Sequence, residues 1–241
     1  MNQLINLILF SSIYIVLIGL FFLGVRKLLN KIDCSQVIIY RLWIVFPIGL
    51  IVMLILPSFD FHTNIPTQLS VLKISTITVT QQSMQTVDLI NWLDIVAYVW
   101  ALLAVFNLLK LLINYLKFKK LLALSSSMDI NGIYKSDEIN SPLAFGLFKS
   151  HVYIPTNISQ NENCQLLIKH EQIHCKRKDP LIRIVYKLIS SVFWFHPMIH
   201  IINKIMIIDQ ETSCDELVLS NGNHAVTYSK LLLKFNQSHF K

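Results

Sequence analysis

The sequence is poor in charged residues. Asp, Glu, Lys and Arg make up only 15% of its 241 residues, whereas a soluble globular domain has about 25%. Hydrophobic residues take their place and account for 54% of the chain. A composition this apolar excludes an intrinsically disordered protein and argues against an ordinary soluble one. It predicts that part of the chain lies in a membrane.

Cysteine is also scarce. The four cysteines, Cys34, Cys164, Cys175 and Cys214, contain no CxxC pair, which argues against a disulfide framework or a cysteine-rich zinc site. Cys175 would point about 100° away from its neighbour His174 on a helix, so we interpret it as a packing residue. Cys164 and Cys214 stay open as metal ligands.

Three long apolar runs contribute much of the hydrophobic excess, at about residues 4–25, 38–56 and 89–113. About 20 apolar residues are enough for a helix to cross a bilayer. The first run has no basic residues before it and is longer than the apolar core of a signal peptide, so we expect it to be retained. We therefore predict a membrane anchor with three transmembrane helices over residues 1–121.

Basic residues around these runs predict their orientation. The second connection, residues 57–88, contains Lys73 as its only basic residue. The other flanks are rich in them: Arg26, Lys27, Lys31, Arg41, Lys110, Lys117, Lys119 and Lys120. The positive-inside rule then places the N-terminus outside and everything after about residue 114 in the cytoplasm. Because the net charge of +7 clusters at these flanks, we expect the lipid bilayer as a partner and no direct nucleic-acid binding.

Residues 122–241 are enough for one small domain. Residues 133–135 and 152–154 have strand character, and Cys164–Lys178 has a helical pattern. We predict a linker or turn at 125–129 and an irregular or bulged segment at 141–148. An exposed strand in such a sheet can pair with a substrate backbone, and a plain structural hairpin is the equally weighted alternative.

The predicted helix carries an HExxH motif, His170-Glu171-Gln172-Ile173-His174. Two histidines four residues apart share one face of a helix, and each can offer a ring nitrogen to one zinc ion. Glu171 then lies beside the first ligand, where it can take a proton from a zinc-bound water. The alternative is a pair of surface histidines without a metal.

A third ligand is expected after the motif. The stretch 181–208 is apolar, but polar and basic residues interrupt it at short intervals. Since buried charge is costly in a bilayer, we predict two cytoplasmic helices, about 181–195 and 197–218, that pack on the core or rest on the membrane surface. The second carries Glu211 and Asp215 on one face. In one assignment Glu211 binds zinc and Asp215 orients a ligand histidine; His196 and His200 compete as ligands.

The features that carry a family resemblance are the Ser141–Pro155 stretch, the HExxH motif, Lys176–Asp179, Trp194–Pro197, Asp209, Glu211 and Cys214–Glu216. On these features, residues 141–216 resemble the BlaR/MecR-type membrane zinc metallopeptidases, the antirepressor family of receptor proteases. The resemblance implies a mainly α membrane protein whose small cytoplasmic α+β domain is a gluzincin-like zinc peptidase, in a bacterial plasma membrane. It also implies His170, His174 and Glu211 as zinc ligands and Glu171 as the general base.

The resemblance also implies a function. It indicates an endopeptidase that cleaves a cytoplasmic protein, such as a transcriptional repressor, in regulatory signalling. We expect a relative without the family's penicillin-binding sensor domain, whose signal comes from the outside loop, a sensor partner or a homodimer. A membrane signal transducer with a scaffolding zinc domain and a housekeeping membrane protease are the alternatives. His200 and Tyr228 are candidates for stabilising the oxyanion.

Overall fold

The structure is a computed structural model that describes residues 2–55, 92–128, 133–156, 164–220, 225–226 and 228–230. Three long helices come first: α1 (Asn2–Lys31), α2 (Gln36–Ile55) and α3 (Trp92–Ser125). Four short strands follow: β1 (Ser126–Met128), β2 (Tyr134–Ser136), β3 (Leu143–Phe145) and β4 (His151–Pro155). The described secondary structure continues with α4 (Cys164–Arg177), α5 (Asp179–Val192) and α6 (Pro197–Leu219). The predicted mainly α architecture with a small sheet is confirmed.

The first three helices correspond to the three apolar runs. Within the described residues, Phe10–Lys31 and Asp94–Leu124 are long and apolar enough to cross a membrane, while the apolar part of α2, Gln36–Val52, is shorter. Large apolar side chains project outward from these helices; Leu102 and Phe106, for example, are 71% and 61% exposed. Exposed apolar surface of this extent is typical of a lipid-facing helix. The predicted outside loop with Lys73 lies outside the described residues.

The four strands form one sheet in the order β1-β2-β4-β3, in which only β2 and β4 run parallel. The strands predicted near 134 and 153 are confirmed. The linker or turn predicted at 125–129 was wrong over 125–128, where α3 ends and β1 follows. The irregular segment predicted at 141–148 is correct on both sides of β3, which was not predicted. Three-residue strands contain too little alternation to be recognised from sequence, and they form because β2 and β4 offer backbone partners.

The apolar stretch 181–208 forms two helices, α5 and α6, as predicted, and they fold back on each other; their cytoplasmic location stays a prediction. Lys178 has a left-handed backbone with φ of 59°, which separates α4 from α5, and Pro180 lies in the first turn of α5. Arg183 on α5 donates hydrogen bonds to Gln210 and Glu211 on α6. The start of α5 therefore lies beside the C-terminal half of α6.

Helix α6 runs along α1 in the same direction. The His196 imidazole Nε2 is 3.2 Å from the carbonyl oxygen of Ser12, and further along Arg26 pairs with Asp209. Between these points Gly19 allows a close approach, because a Cβ there would lie 2.9 Å from α6 side chains. The α5–α6 hairpin therefore lies beside α1.

Helices α1, α2, α5 and α6 share one hydrophobic core. Tyr186 on α5 donates a hydrogen bond to the carbonyl oxygen of Trp43 on α2 within it. Both α5 and α6 thus pack directly on α1 and α2, and their apolar faces lie in this shared core. The buried members of the core are Ile15, Tyr40, Trp43, Phe46, Leu50, Tyr186, Phe193, Ile199, Ile202 and Met206.

An ion pair between Arg26 and Asp209 joins α1 to α6. Arg26 donates two hydrogen bonds to Asp209, at 2.6 and 2.7 Å, and Trp43 donates a third at 2.7 Å. The Asp209 side chain is only 2% exposed. Removing its cationic partner leaves a buried carboxylate without charge compensation, which costs about 3–5 kcal/mol.

We therefore expect Arg26→Met to lower the thermal unfolding midpoint of the detergent-solubilised chain markedly. Lys27→Met is the matched control, because Lys27 is the exposed neighbour on the same helix. Equal midpoints for Arg26→Met and the unchanged chain would contradict this assignment.

Candidate metal centre

Helix α4 presents both histidines of the HExxH motif to α6. Their Nε2 atoms lie 3.0 Å apart. The Glu211 Oε2 atom on α6 is 3.3 Å from the Nε2 atom of His170 and 3.6 Å from that of His174. Both histidines are buried, which contradicts the alternative of two surface histidines. Three predicted side chains from two helices thus converge on one point.

The spacing of these three atoms fits a zinc ion. Ligand atoms arranged tetrahedrally at about 2.0–2.1 Å from zinc lie about 3.3–3.4 Å from one another. The separations of 3.0, 3.3 and 3.6 Å bracket that value. The circle through the three atoms has a radius of about 1.9 Å, just under the zinc–ligand distance. Two imidazoles and one carboxylate also leave a fourth position open, as in catalytic zinc sites.

Cys214, one turn beyond Glu211, lies close to the same histidines. Its sulfur and one nitrogen of each imidazole lie within 4.8 Å of one another, a grouping able to hold a metal. The thiol, however, donates a hydrogen bond to the backbone carbonyl oxygen of His170 at 3.3 Å. Because the Glu211 carboxylate approaches both Nε2 atoms within 3.6 Å, it fits the ion better than the thiol does.

The far side of the His170 ring is held by Tyr228 and Asp215. The Nδ1 atom of His170 is 2.7 Å from the Tyr228 hydroxyl oxygen and 3.2 Å from Asp215 Oδ1. The Tyr228 hydroxyl donates in turn to Asp215 at 2.5 Å. This chain of hydrogen bonds assigns the ring proton to Nδ1 and leaves Nε2 as the metal-facing atom. Asp215 lies where predicted, and the Tyr228 hydroxyl contacts the Nδ1 side of His170, opposite the Nε2 atom that faces the candidate metal site.

The far side of the His174 ring is held by Asp179. In the sequence, Asp179 was only one residue of the matching motif Lys176–Asp179. The Nδ1 atom lies 2.6 Å from Asp179 Oδ2. Asp179 is buried and also accepts hydrogen bonds from the Tyr40 hydroxyl at 2.7 Å and from Arg177. Burial raises the pKa of Asp179, but His174 and the other donors outweigh it and lower the pKa. The carboxylate therefore stays ionised as an acceptor.

The Tyr40 contact links the metal centre to α2. Tyr40 lies on α2, 139 positions before Asp179, so α2 supplies part of the support of His174. The only sequence signal for Asp179 is its position at the junction after the motif helix, five residues beyond His174. A spacing of five does not define one face of a single helix, which is why the role of Asp179 was not predicted.

Glu171 lies in a cleft beside the two histidines. Burial raises the pKa of Glu171, and the nearby imidazoles of His174 and His170 oppose that rise only in part. A carboxyl group with a raised pKa is suited to taking up and releasing a proton near neutral pH. Its position and its pKa both agree with the predicted general base.

The cleft has a volume of about 450 Å³ and is bounded by α3, β3 and α5, with Glu171, His174 and Glu211 among its lining residues. Strand β3 is an edge of the described sheet, since it pairs only with β4 there. An edge strand can accept an additional, extended strand through backbone hydrogen bonds. Of the two alternatives left open by the sequence, this position favours a substrate-pairing strand.

A comparison with known protein families decides the classification. The family model of the BlaR1 peptidase M56 matches residues 6–240, almost the whole chain. The chain belongs to the BlaR1 peptidase M56 family. The predicted resemblance is thereby confirmed, and membership implies metallopeptidase activity.

Individual relatives match this M56 chain over a shorter stretch. It is 33% identical over 105 residues to the regulatory protein BlaR1 of Bacillus licheniformis, and 33% identical over 104 residues to the methicillin resistance mecR1 protein of Staphylococcus aureus. These alignments cover 42% and 41% of the chain and 18% of each relative. The chain thus matches less than a fifth of the length of these relatives.

Two predicted histidines of the M56 chain lie away from the centre. The His200 Nε2 atom is 2.9 Å from the carbonyl oxygen of Trp194, and His196 contacts Ser12 on α1. His200 precedes Glu211 by eleven residues, which is about 16 Å along the axis of α6. The structure therefore does not bring His196 or His200 to the ligand cluster, either as a ligand or as an oxyanion stabiliser.

Proposed function

We propose that this chain is an integral membrane zinc metalloendopeptidase that hydrolyses peptide bonds of a cytoplasmic protein. His170, His174 and Glu211 hold the zinc ion, and Glu171 is the general base. The observation that carries the proposal is the convergence of two Nε2 atoms and one carboxylate oxygen within 3.6 Å of one another. They lie beside a cleft that Glu171 also lines.

Each residue of the centre has a distinct task. Zinc, when bound, polarises the scissile carbonyl and makes water a stronger nucleophile. The Glu171 carboxylate accepts a proton from the attacking water and delivers it to the nitrogen of the leaving amine. Asp179 and the Tyr228–Asp215 pair hold the two imidazoles through Nδ1. Arg183 binds the Oε1 atom of Glu211, which leaves Oε2 directed at the histidines.

The proposed topology has three membrane-spanning helices, an outside N-terminus and the metal centre on the cytoplasmic side of a bacterial plasma membrane. This topology is supported by the position of the metal centre along the helices, because it lies close to the basic end of α1 and the start of α2. Arg26, at the basic end of α1, binds Asp209, two residues before Glu211. Glu216 binds the backbone N–H of Gln36 at 2.7 Å, at the start of α2. Basic residues mark the cytoplasmic ends of membrane helices.

A transcriptional repressor as substrate is part of the proposal and rests on similarity alone. The relatives are named as a regulatory protein and as a methicillin resistance protein, which agrees with proteolysis in signalling. A sensor partner or a homodimer would supply the trigger.

Metal removal tests the proposed chemistry. The full chain in lipid nanodiscs is expected to cleave members of a degenerate fluorogenic peptide library. A chelator should reduce this activity to background, because the proposed mechanism needs the zinc ion to polarise the scissile carbonyl. Added zinc should restore it, while added magnesium should not, since two imidazoles favour zinc. Peptide cleavage that persists at full rate in the chelator would overturn the zinc mechanism.

The support of His174 yields a second expectation. We expect Asp179→Asn to weaken zinc binding by about 10–100-fold, because residues that orient a metal-binding histidine affect affinity by that factor. Competition with a zinc-sensitive dye measures the dissociation constant. Asp137→Asn is the matched control, since Asp137 is exposed and lies on the β2 side of the sheet. Equal affinities for the two variants would remove Asp179 from the proposed centre.

A further inference from the structure

One face of α3 lines the cleft beside the candidate metal centre. Leu111, Asn114, Tyr115 and Phe118 are the lining residues, and their spacing of three, four and seven is that of one helix face. Leu112, the next residue along, is 52% exposed and is not among the lining residues. The helix therefore directs one stripe at the cleft and other faces away from it.

Contacts with β3 and α5 fix helix α3 toward both of its ends. Near its C-terminal end, the Tyr115 ring stacks on Phe145 of β3 at a centroid distance of 5.3 Å, and Phe118 meets the same ring edge-on at 5.1 Å. Nearer its N-terminal end, the Trp100 indole donates a hydrogen bond to the carbonyl oxygen of Val192 on α5 at 3.1 Å. The stripe is thus a wall with a defined position relative to β3 and α5.

The chemistry of this part of the cleft is mainly apolar. Leu111 on α3 and Ile184 on α5 line it together with the rings of Tyr115, Phe118 and Phe145, while Arg183 and Lys187 of α5 add charge to the same cleft. Glu171 and His174 line the same cleft. An apolar pocket beside the reacting groups of an enzyme binds an apolar side chain of the substrate and discriminates by its size.

We propose that the α3 stripe is a substrate-binding wall that selects a large apolar side chain next to the scissile bond, with Leu111 as a specificity-determining residue. This inference rests on the proposed peptidase function and adds to it. Since the wall belongs to a helix apolar enough to cross the membrane, the substrate segment lies against the membrane anchor while it is cleaved.

Leu111→Ala and Leu112→Ala form a matched pair for the test, because they make the same chemical change at adjacent positions and only Leu111 lines the cleft. The zinc-loaded full chain in nanodiscs is given a degenerate fluorogenic peptide library. The measured quantity is the ratio of kcat/KM for peptides with Trp to that for peptides with Val at each varied position. This ratio is internal to each variant, so a general loss of folded protein does not change it.

Leu111→Ala enlarges the pocket, and we expect the ratio at one position to rise by about tenfold or more. Leu112→Ala should leave every ratio unchanged. If the wild type cleaves the library and both variants share its profile, α3 does not select the substrate and this inference fails while the peptidase function stands. If the zinc-loaded wild type cleaves no peptide, the proposed function itself fails.

Photocrosslinking gives an independent result. A benzophenone amino acid is placed at Asn114, on the stripe, or at Ile113, which is 49% exposed, in a chain carrying Glu171→Gln so that peptides stay intact. We expect the library peptides to be captured at position 114 and not at 113. Capture at 113 alone, or equal capture at both positions, would contradict the proposed wall.

Discussion

Glu171→Gln is expected to lower kcat for peptide hydrolysis by about 10²–10⁴-fold, the usual contribution of a general base, while zinc stays bound. The amide has nearly the same size and shape as the carboxylate but cannot accept the proton of the attacking water. The three candidate ligand atoms belong to other side chains, so the metal content should stay at one ion per chain. Burial raises the pKa of Glu171, as expected for a group that exchanges protons during turnover.

Gln172→Ala is the control for this variant, because Gln172 is the exposed neighbour on the same helix and should retain full activity. Two readouts are needed: single-turnover cleavage of a library peptide and zinc content of the purified chain. A Glu171→Gln chain that cleaves peptides at the wild-type rate would refute the general-base role. A chain that loses cleavage but keeps full signalling in cells would instead favour the scaffolding alternative.

His174→Ala is expected to remove zinc from the purified chain almost completely. The substitution deletes one of three protein ligands and leaves the buried Asp179 without its imidazole partner. The zinc ion would then keep only two protein ligands, so its affinity should fall by several orders of magnitude. Metal analysis after dialysis against a weak chelator measures the outcome, with His200→Ala on α6 as the control that retains zinc.

Two further variants decide between the carboxylate and the thiol as the third ligand. Glu211→Gln should lose zinc, whereas Cys214→Ser should retain it, because the Cys214 thiol donates to a backbone carbonyl oxygen. The reverse pattern would assign the metal to His170, His174 and Cys214, the grouping that also lies within 4.8 Å. Full zinc content in His174→Ala would show that the metal lies elsewhere.

The elements that the sequence predicted best are those with a strong local pattern. The apolar runs correspond to α1, α2 and α3, and the motif helix was expected at 164–178 and found at Cys164–Arg177. The α5–α6 hairpin was predicted because buried charge is costly in lipid. Strands β1 and β3 were missed, since each has three residues and depends on pairing with a neighbouring strand.

In the candidate site, too, the residues related by a local helical spacing were predicted best. His170 and His174 share a helix face at any position in any fold, because a spacing of four is a property of the helix itself. Glu211, 41 positions beyond His170, required the family resemblance. His200 competed with Glu211 as a ligand in the sequence. The two residues lie about 16 Å apart along α6, and the packing of α6 against α4 brings Glu211 to the motif.

By itself, the sequence determined three apolar helices, an HExxH motif on a helix and an acidic helix after it, because composition and helical periodicity are local properties. The tertiary structure alone decided that Asp179 and Tyr40 support His174 and that α3 forms a wall of the cleft. These contacts join residues far apart in the chain, and they depend on how α1, α2, α5 and α6 bury their apolar faces together. That shared core fixes the positions of the polar groups, which no local pattern specifies.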